Sequence, residues 1–125
     1  MRLCYAHSRD GRHRIEGLAA AAHAFNYAYR LYATPEWREL FGPFNRRYRD
    51  DYKPVPFSRK YVRHMAGWYA QKHPDEDFAE TFAVWLTPRS QWRKKYKGWG
   101  ALAKLRYVDR MPAFLHSRRG ASAGR

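Results

Sequence analysis

The residues of this chain best suited to chemistry lie in two short stretches. His23 follows the alanine-rich run from Leu18 to Ala22 and precedes Asn26, Tyr27, Tyr29 and Tyr32. Farther along, Tyr69, His73, Glu76 and Glu80 fall within one segment, the two glutamates at i,i+4 in Glu76-Asp77-Phe78-Ala79-Glu80. Imidazole nitrogen and carboxylate oxygen are donors that bind zinc, and a carboxylate beside a metal-bound water serves as its base. Each signal also has a plain structural reading. A solitary histidine on a helix is most often packed or capped. Glutamates at i,i+4 usually mark a solvated face and mildly repel one another. Tyr69 alone reads as core, His73 before Pro74 as the start of a helix, and His64 as a surface residue.

Helices must position these groups. Leu18, Ala22, Phe25, Tyr29 and Tyr32 recur at helical spacing and predict one amphipathic helix starting at Leu18. Thr34 before Pro35 gives a cap and a first-turn proline for a short helix carrying Trp37, Leu40 and Phe41, stopped at Gly42 and Pro43. Residues 44–57 read as a loop, with Pro54 and Pro56 holding Val55 extended. Ser58 predicts the cap of another short helix ending near Met65. Pro74, followed by Asp75, Glu76 and Asp77 in a first turn that favours negative charge, opens the clearest helix, with Phe78, Phe82, Trp85 and Leu86 on its apolar face. Thr87 and Pro88 repeat the cap-plus-proline signal for a basic helix running to about Gly98–Gly100, with Trp92 and Tyr96 facing the core. A last helix covers roughly Ala101–Tyr107. The expected division is an irregular basic segment over 1–17, a helical domain over 18–112 and a flexible tail over 113–125.

With its order and spacing taken together, the chain resembles the bacterial zinc-binding metallopeptidases from about Ala22 to Asp109. It is similar, more distantly, to the catalytic domain of gluzincins of the anthrax-lethal-factor type. The resemblance implies a mainly α, partial zincin-like metallopeptidase domain, its helices joined by long loops. In that family an H-E-x-x-H helix supplies two zinc ligands and a general base, and i,i+4 spacing brings both imidazoles to one face. A downstream E-x-F-A-E helix gives the third ligand, and a tyrosine seven residues earlier meets the oxyanion. Carried over, His23 matches the second histidine, Glu76 the third ligand, Tyr69 the oxyanion tyrosine and Glu80 a carboxylate that orients a ligand. The implied cofactor is zinc and the implied partner a peptide or protein substrate. Ala19 and Ala20 stand where the first histidine and the general base belong, and Ala22 where the family often has glycine. Glu16 is about 10 Å of helical rise from His23, too far to share an ion. The resemblance thus implies a domain truncated at its front and impaired in catalysis, which holds zinc weakly or not at all.

Composition bounds the alternatives. The 125 residues are 45% hydrophobic and 18% aromatic, enough for a core and against bulk disorder. Cys4 is the single cysteine, so neither an internal disulfide nor a cysteine zinc site is available. No apolar run has the length of a membrane span, and the start has no signal-peptide pattern. These features fit a cytoplasmic protein without a membrane partner. The net charge of +14 attracts phosphate backbones in a salt-sensitive way, making a basic module for nucleic acid or acidic partners the rival reading. The interleaved aromatic and basic residues from Gln91 to Trp99 are its most specific support.

Overall fold

Local capping chemistry sets most of the helix boundaries in the computed structural model, which describes residues 17–48, 51–65 and 67–111. Helix α1 spans 17–29 and stops at Arg30, whose left-handed backbone (φ 52°) breaks the helical path. A 3-10 turn over Leu31–Ala33 follows. Thr34 then accepts a hydrogen bond from the Trp37 amide while its hydroxyl donates to the Leu31 carbonyl at 2.6 Å. With Pro35 in the first turn this opens α2, Pro35–Phe41. Gly42 ends α2 at φ 107°, and a Cβ there would lie 3.3 Å from the Pro74 ring. Glycine therefore lets the end of α2 pack onto Pro74.

A non-helical stretch leads to the 3-10 turn Tyr69–Lys72 and then α3, Pro74–Leu86. Ten of the thirteen α3 residues are buried, so α3 is the central helix of the described domain rather than an amphipathic surface helix. On one side it meets Ala22 of α1, Trp37 and Phe41 of α2, and Tyr107 and Val108 of α5, the helix over 101–111. On the other side Val84 joins Val62, Trp92, Tyr96, Ala101 and Leu105 in a second cluster, with Trp85 packed against both. Aromatic contacts such as Phe41–Phe78 (5.4 Å) and Phe25–Phe82 (5.6 Å) supply much of the first cluster's area. Within this layer, Lys104 of α5 reaches buried Asp77 at 2.6 Å and the Lys60 carbonyl at 2.8 Å. Burial pushes the Asp77 carboxyl up to about 7, against the pull of Lys104.

The mainly helical class expected from the sequence is observed, and no strand occurs among the described residues. Several boundaries differ. No helix runs from Ser58 to Met65; instead distant side chains fasten that segment, with the Tyr96 hydroxyl on the Arg63 amide and Glu80 on the Met65 amide. The basic helix after Pro88 shrinks to α4, Trp92–Lys95, because Arg89 and Gln91 both adopt left-handed φ. The final helix extends past Tyr107 to residue 111. Tyr29, expected on the apolar face of α1, is 45% exposed, while polar Asn26 is fully buried. His64 is half-buried rather than superficial. The segment 1–16, with Cys4, His7, His13 and Glu16, and the tail 113–125 lie outside the described residues.

Candidate functional site

A polar junction forms where α1 passes the first turn of α3. His73, in extended backbone, caps that turn: its Nδ1 accepts from the Asp75 amide at 3.0 Å and its Nε2 lies 2.7 Å from the Arg46 carbonyl. A carbonyl only accepts and an amide only donates, so the proton sits on Nε2 and both nitrogens are committed to the backbone. His73 is a cap, as its position before Pro74 indicates.

The cap leaves Asp75 and Glu76 facing α1. Asp75 Oδ2 lies 3.1 Å from His23 Nδ1, as an ion pair without a well-aligned hydrogen bond. The same carboxylate accepts from the Tyr27 hydroxyl at 3.2 Å and from the Asn26 side-chain amide at 3.4 Å. Asn26 is fixed in turn, because its oxygen accepts from the Tyr32 amide at 2.9 Å. Burial alone would raise the Asp75 carboxyl, but the adjacent His23, then the hydrogen bonds from Tyr27 and Asn26, carry it below the usual range. His23 moves the other way, raised chiefly by Asp75 against the opposing effect of burial, with Glu76 adding to the rise.

With Nδ1 turned to Asp75, the other ring nitrogen of His23 points to Glu76, its Nε2 being 3.9 Å from Oε1. The Tyr48 hydroxyl donates to that same oxygen, and its ring stacks on His73 at 4.3 Å. Burial, then Glu76, raises the Tyr48 hydroxyl well above its ordinary value. Tyr69, half-buried in the 3-10 turn before α3, has its hydroxyl raised by burial and then by the charge of Glu76. Glu80, one turn past Glu76, does not orient His23. Its Oε1 accepts from the Met65 amide at 2.6 Å and its Oε2 is buried without a partner, so it fastens the 61–65 segment to α3. Burial pushes its carboxyl up to about 8.

Zinc bonds of about 2.0–2.2 Å to nitrogen and oxygen allow a shared ion across a gap of this size. His23 Nε2 and Glu76 Oε1 are therefore the two donors the junction offers, and Asp75 on Nδ1 is the kind of carboxylate that fixes a ligating imidazole. Ala19 and Ala20, the turn before His23, bring no donor. Among the described residues no group of three or more His, Cys, Asp or Glu side chains is arranged to hold a metal ion. The residues present do not fit a catalytic zinc centre, which needs three protein ligands and an open position.

Sequence reasoning named His23, Glu76 and Tyr69 but missed Asp75, Asn26, Tyr27 and Tyr48. Asn26 and Tyr27 follow His23 by three and four residues, a helical-neighbour signal that was there to use. Tyr48 comes from an aperiodic loop and carried none. Compared with protein families, curated proteins and solved structures, the chain matches none of them. No helix among the described residues is long and apolar enough to cross a membrane.

Proposed function

We propose that this chain is a zinc-metallopeptidase-type domain, zincin-like in ancestry, whose catalytic half is lost. The observation that carries the reading is the convergence of His23 Nε2 and Glu76 Oε1 to 3.9 Å from two different helices, with His23 braced by Asp75. The approach of two side chains so far apart in sequence supports the reading. An intact site of this kind would bind a peptide with zinc polarising its carbonyl; here the absent first imidazole and general base remove both tight metal binding and turnover. General-base loss alone typically costs about 10²–10⁴ in rate. The domain is read as cytoplasmic, with a peptide or protein as the ancestral substrate.

The test is metal content after equilibrium dialysis against zinc at neutral pH. The parent chain is expected to retain little zinc, and the Ala19→His, Ala20→Glu double variant about one ion per chain. Stoichiometric, tightly held zinc in the parent would overturn the reading.

A nucleic-acid role through the Gln91–Trp99 stretch is not favoured, because Trp92 and Tyr96 are 7% and 1% exposed and offer bases no face. Trp99, at the end of that stretch, is only partly buried and meets arginines from another segment.

A further inference from the structure

Away from the polar junction, aromatic and arginine side chains alternate along one surface strip. Trp68 meets Phe57 edge-on at 5.5 Å. Arg63 lies over Phe57 at 5.2 Å and over Trp99 at 4.8 Å, and Arg59 covers Trp99 at 5.8 Å. The strip is open to solvent at its centre, where Phe57 is 69% exposed and neighbouring Val55 65%. Burial does not account for an outward Phe57. Its backbone is left-handed at φ 61°, as is that of Trp68 at φ 52°, a conformation that bulky residues avoid. The chain accepts strain at both positions while leaving Phe57 in water.

Charge is concentrated around the same strip. Residues 51–68 and 88–100, which supply it, carry nine lysines and arginines against the single acid Asp51. Arg93 is turned aside to Asp109 at 2.7 Å. Among the described residues, neither Arg59 nor Arg63 pairs with a carboxylate. Glu80 reaches this segment at the Met65 amide and Asp77 is bonded to Lys104, so neither α3 acid pairs with Arg59 or Arg63.

We propose that this strip binds single-stranded nucleic acid, with bases stacking on Phe57, Trp68 and the Arg63–Trp99 step and phosphates held by Arg59 and the surrounding lysines. An exposed ring, Phe57, beside the partly buried Trp68 and Trp99 and two arginines without a carboxylate partner has the elements of sequence-indifferent single-strand binding. Net charge alone would serve a duplex equally well; the exposed rings distinguish the two, because a duplex keeps its bases stacked internally. A peptide carrying acids but no rings would use the arginines and leave Phe57 idle.

The experiment is a fluorescence-anisotropy titration of the full chain with labelled oligo-dT of about twenty nucleotides, alongside a duplex of equal length and vesicles of phosphatidylcholine with phosphatidylserine. The single strand is expected to bind more tightly than the duplex, to quench tryptophan fluorescence, and to weaken steeply with salt. Phe57→Ala changes no charge and removes an exposed ring, and is expected to weaken oligo-dT binding about tenfold while leaving the circular dichroism spectrum intact. Arg59→Ala is expected to weaken binding and reduce the salt slope, whereas Arg38→Ala, on α2, leaves both near the parent. Equal affinity of Phe57→Ala and the parent, or equal binding of single strand and duplex, would overturn the proposal in favour of charge alone. Binding to vesicles without binding to oligo-dT would overturn it in favour of a lipid surface.

Discussion

The first turn of α3 and the turn of α1 before His23 face the same junction and are built in opposite ways. At the cap and first turn of α3 the polar groups are engaged: His73 caps, Asp75 holds His23, Tyr27 and Asn26, and Glu76 receives Tyr48. In α1 the corresponding turn is Ala19, Ala20 and Ala21, with Ala19 against the core and the other two exposed. Alanine costs a helix nothing, so α1 forms without asking anything of the junction. The comparison separates what the fold needs from what chemistry would need. The α3 half is fastened into the structure by side-chain bonds, while the α1 turn before His23 brings no polar side chain to the junction.

If α3 is the fastened half, its polar groups should be the expensive ones to remove. Asp77→Ala has the largest expected effect, because it leaves Lys104 buried beside no carboxylate. A loss of about 3–5 kcal/mol is expected, read from the urea midpoint, with Lys104→Met in the same chain recovering much of it. Asp75→Ala strands His23, Tyr27 and Asn26 together and is expected to cost about 2 kcal/mol. Ala20→Ser, in the exposed α1 turn, should stay within about 0.5 kcal/mol. Equal effects at Asp75 and Ala20 would erase the contrast between the two turns.

A pH series sharpens the same point at Glu80. Its folded carboxyl is raised to about 8 by burial, so between the ordinary carboxylate range and that value the folded chain holds a proton that the unfolded chain has released. Stability from this group therefore falls as pH rises through that window. Glu80→Gln keeps an acceptor for the Met65 amide and removes the ionisation. Its Tm is expected to lie above the parent's by about 4 °C at pH 8, with the gap closing towards pH 5. A constant gap across that range would mean that Glu80 is not buried as described.

Local signals were legible in the sequence and long-range ones were not. Thr34 with Pro35 and His73 with Pro74 marked two helix starts because capping needs only neighbours. The helix expected from Ser58 failed because residues 52–65 take their bonds from far along the chain. Gln71 brackets Val55 with two hydrogen bonds, Tyr52 reaches the Gly67 carbonyl and Lys104 the Lys60 carbonyl. At the site, spacing and resemblance named His23, Glu76 and Tyr69. The brace at Asp75 and the bond from Tyr48 to Glu76 depend on how two elements cross, which no periodicity encodes. Glu80, for which the resemblance implies a ligand-orienting role, is bonded to the Met65 amide, a contact no local signal encodes.

The proposal that His23 and Glu76 are the remnant of a metal site is tested most directly by thermal unfolding with and without zinc. Three chains are needed: the parent, the Ala19→His, Ala20→Glu double variant, and that double variant with Glu76→Gln. Zinc at a hundredfold excess over its dissociation constant adds about 2.7 kcal/mol to a chain that binds it only when folded. The account predicts a zinc-dependent rise in Tm of several degrees for the double variant, and little or none for the parent or the Glu76→Gln chain. A double variant that folds like the parent but melts at the same temperature with and without zinc would contradict it.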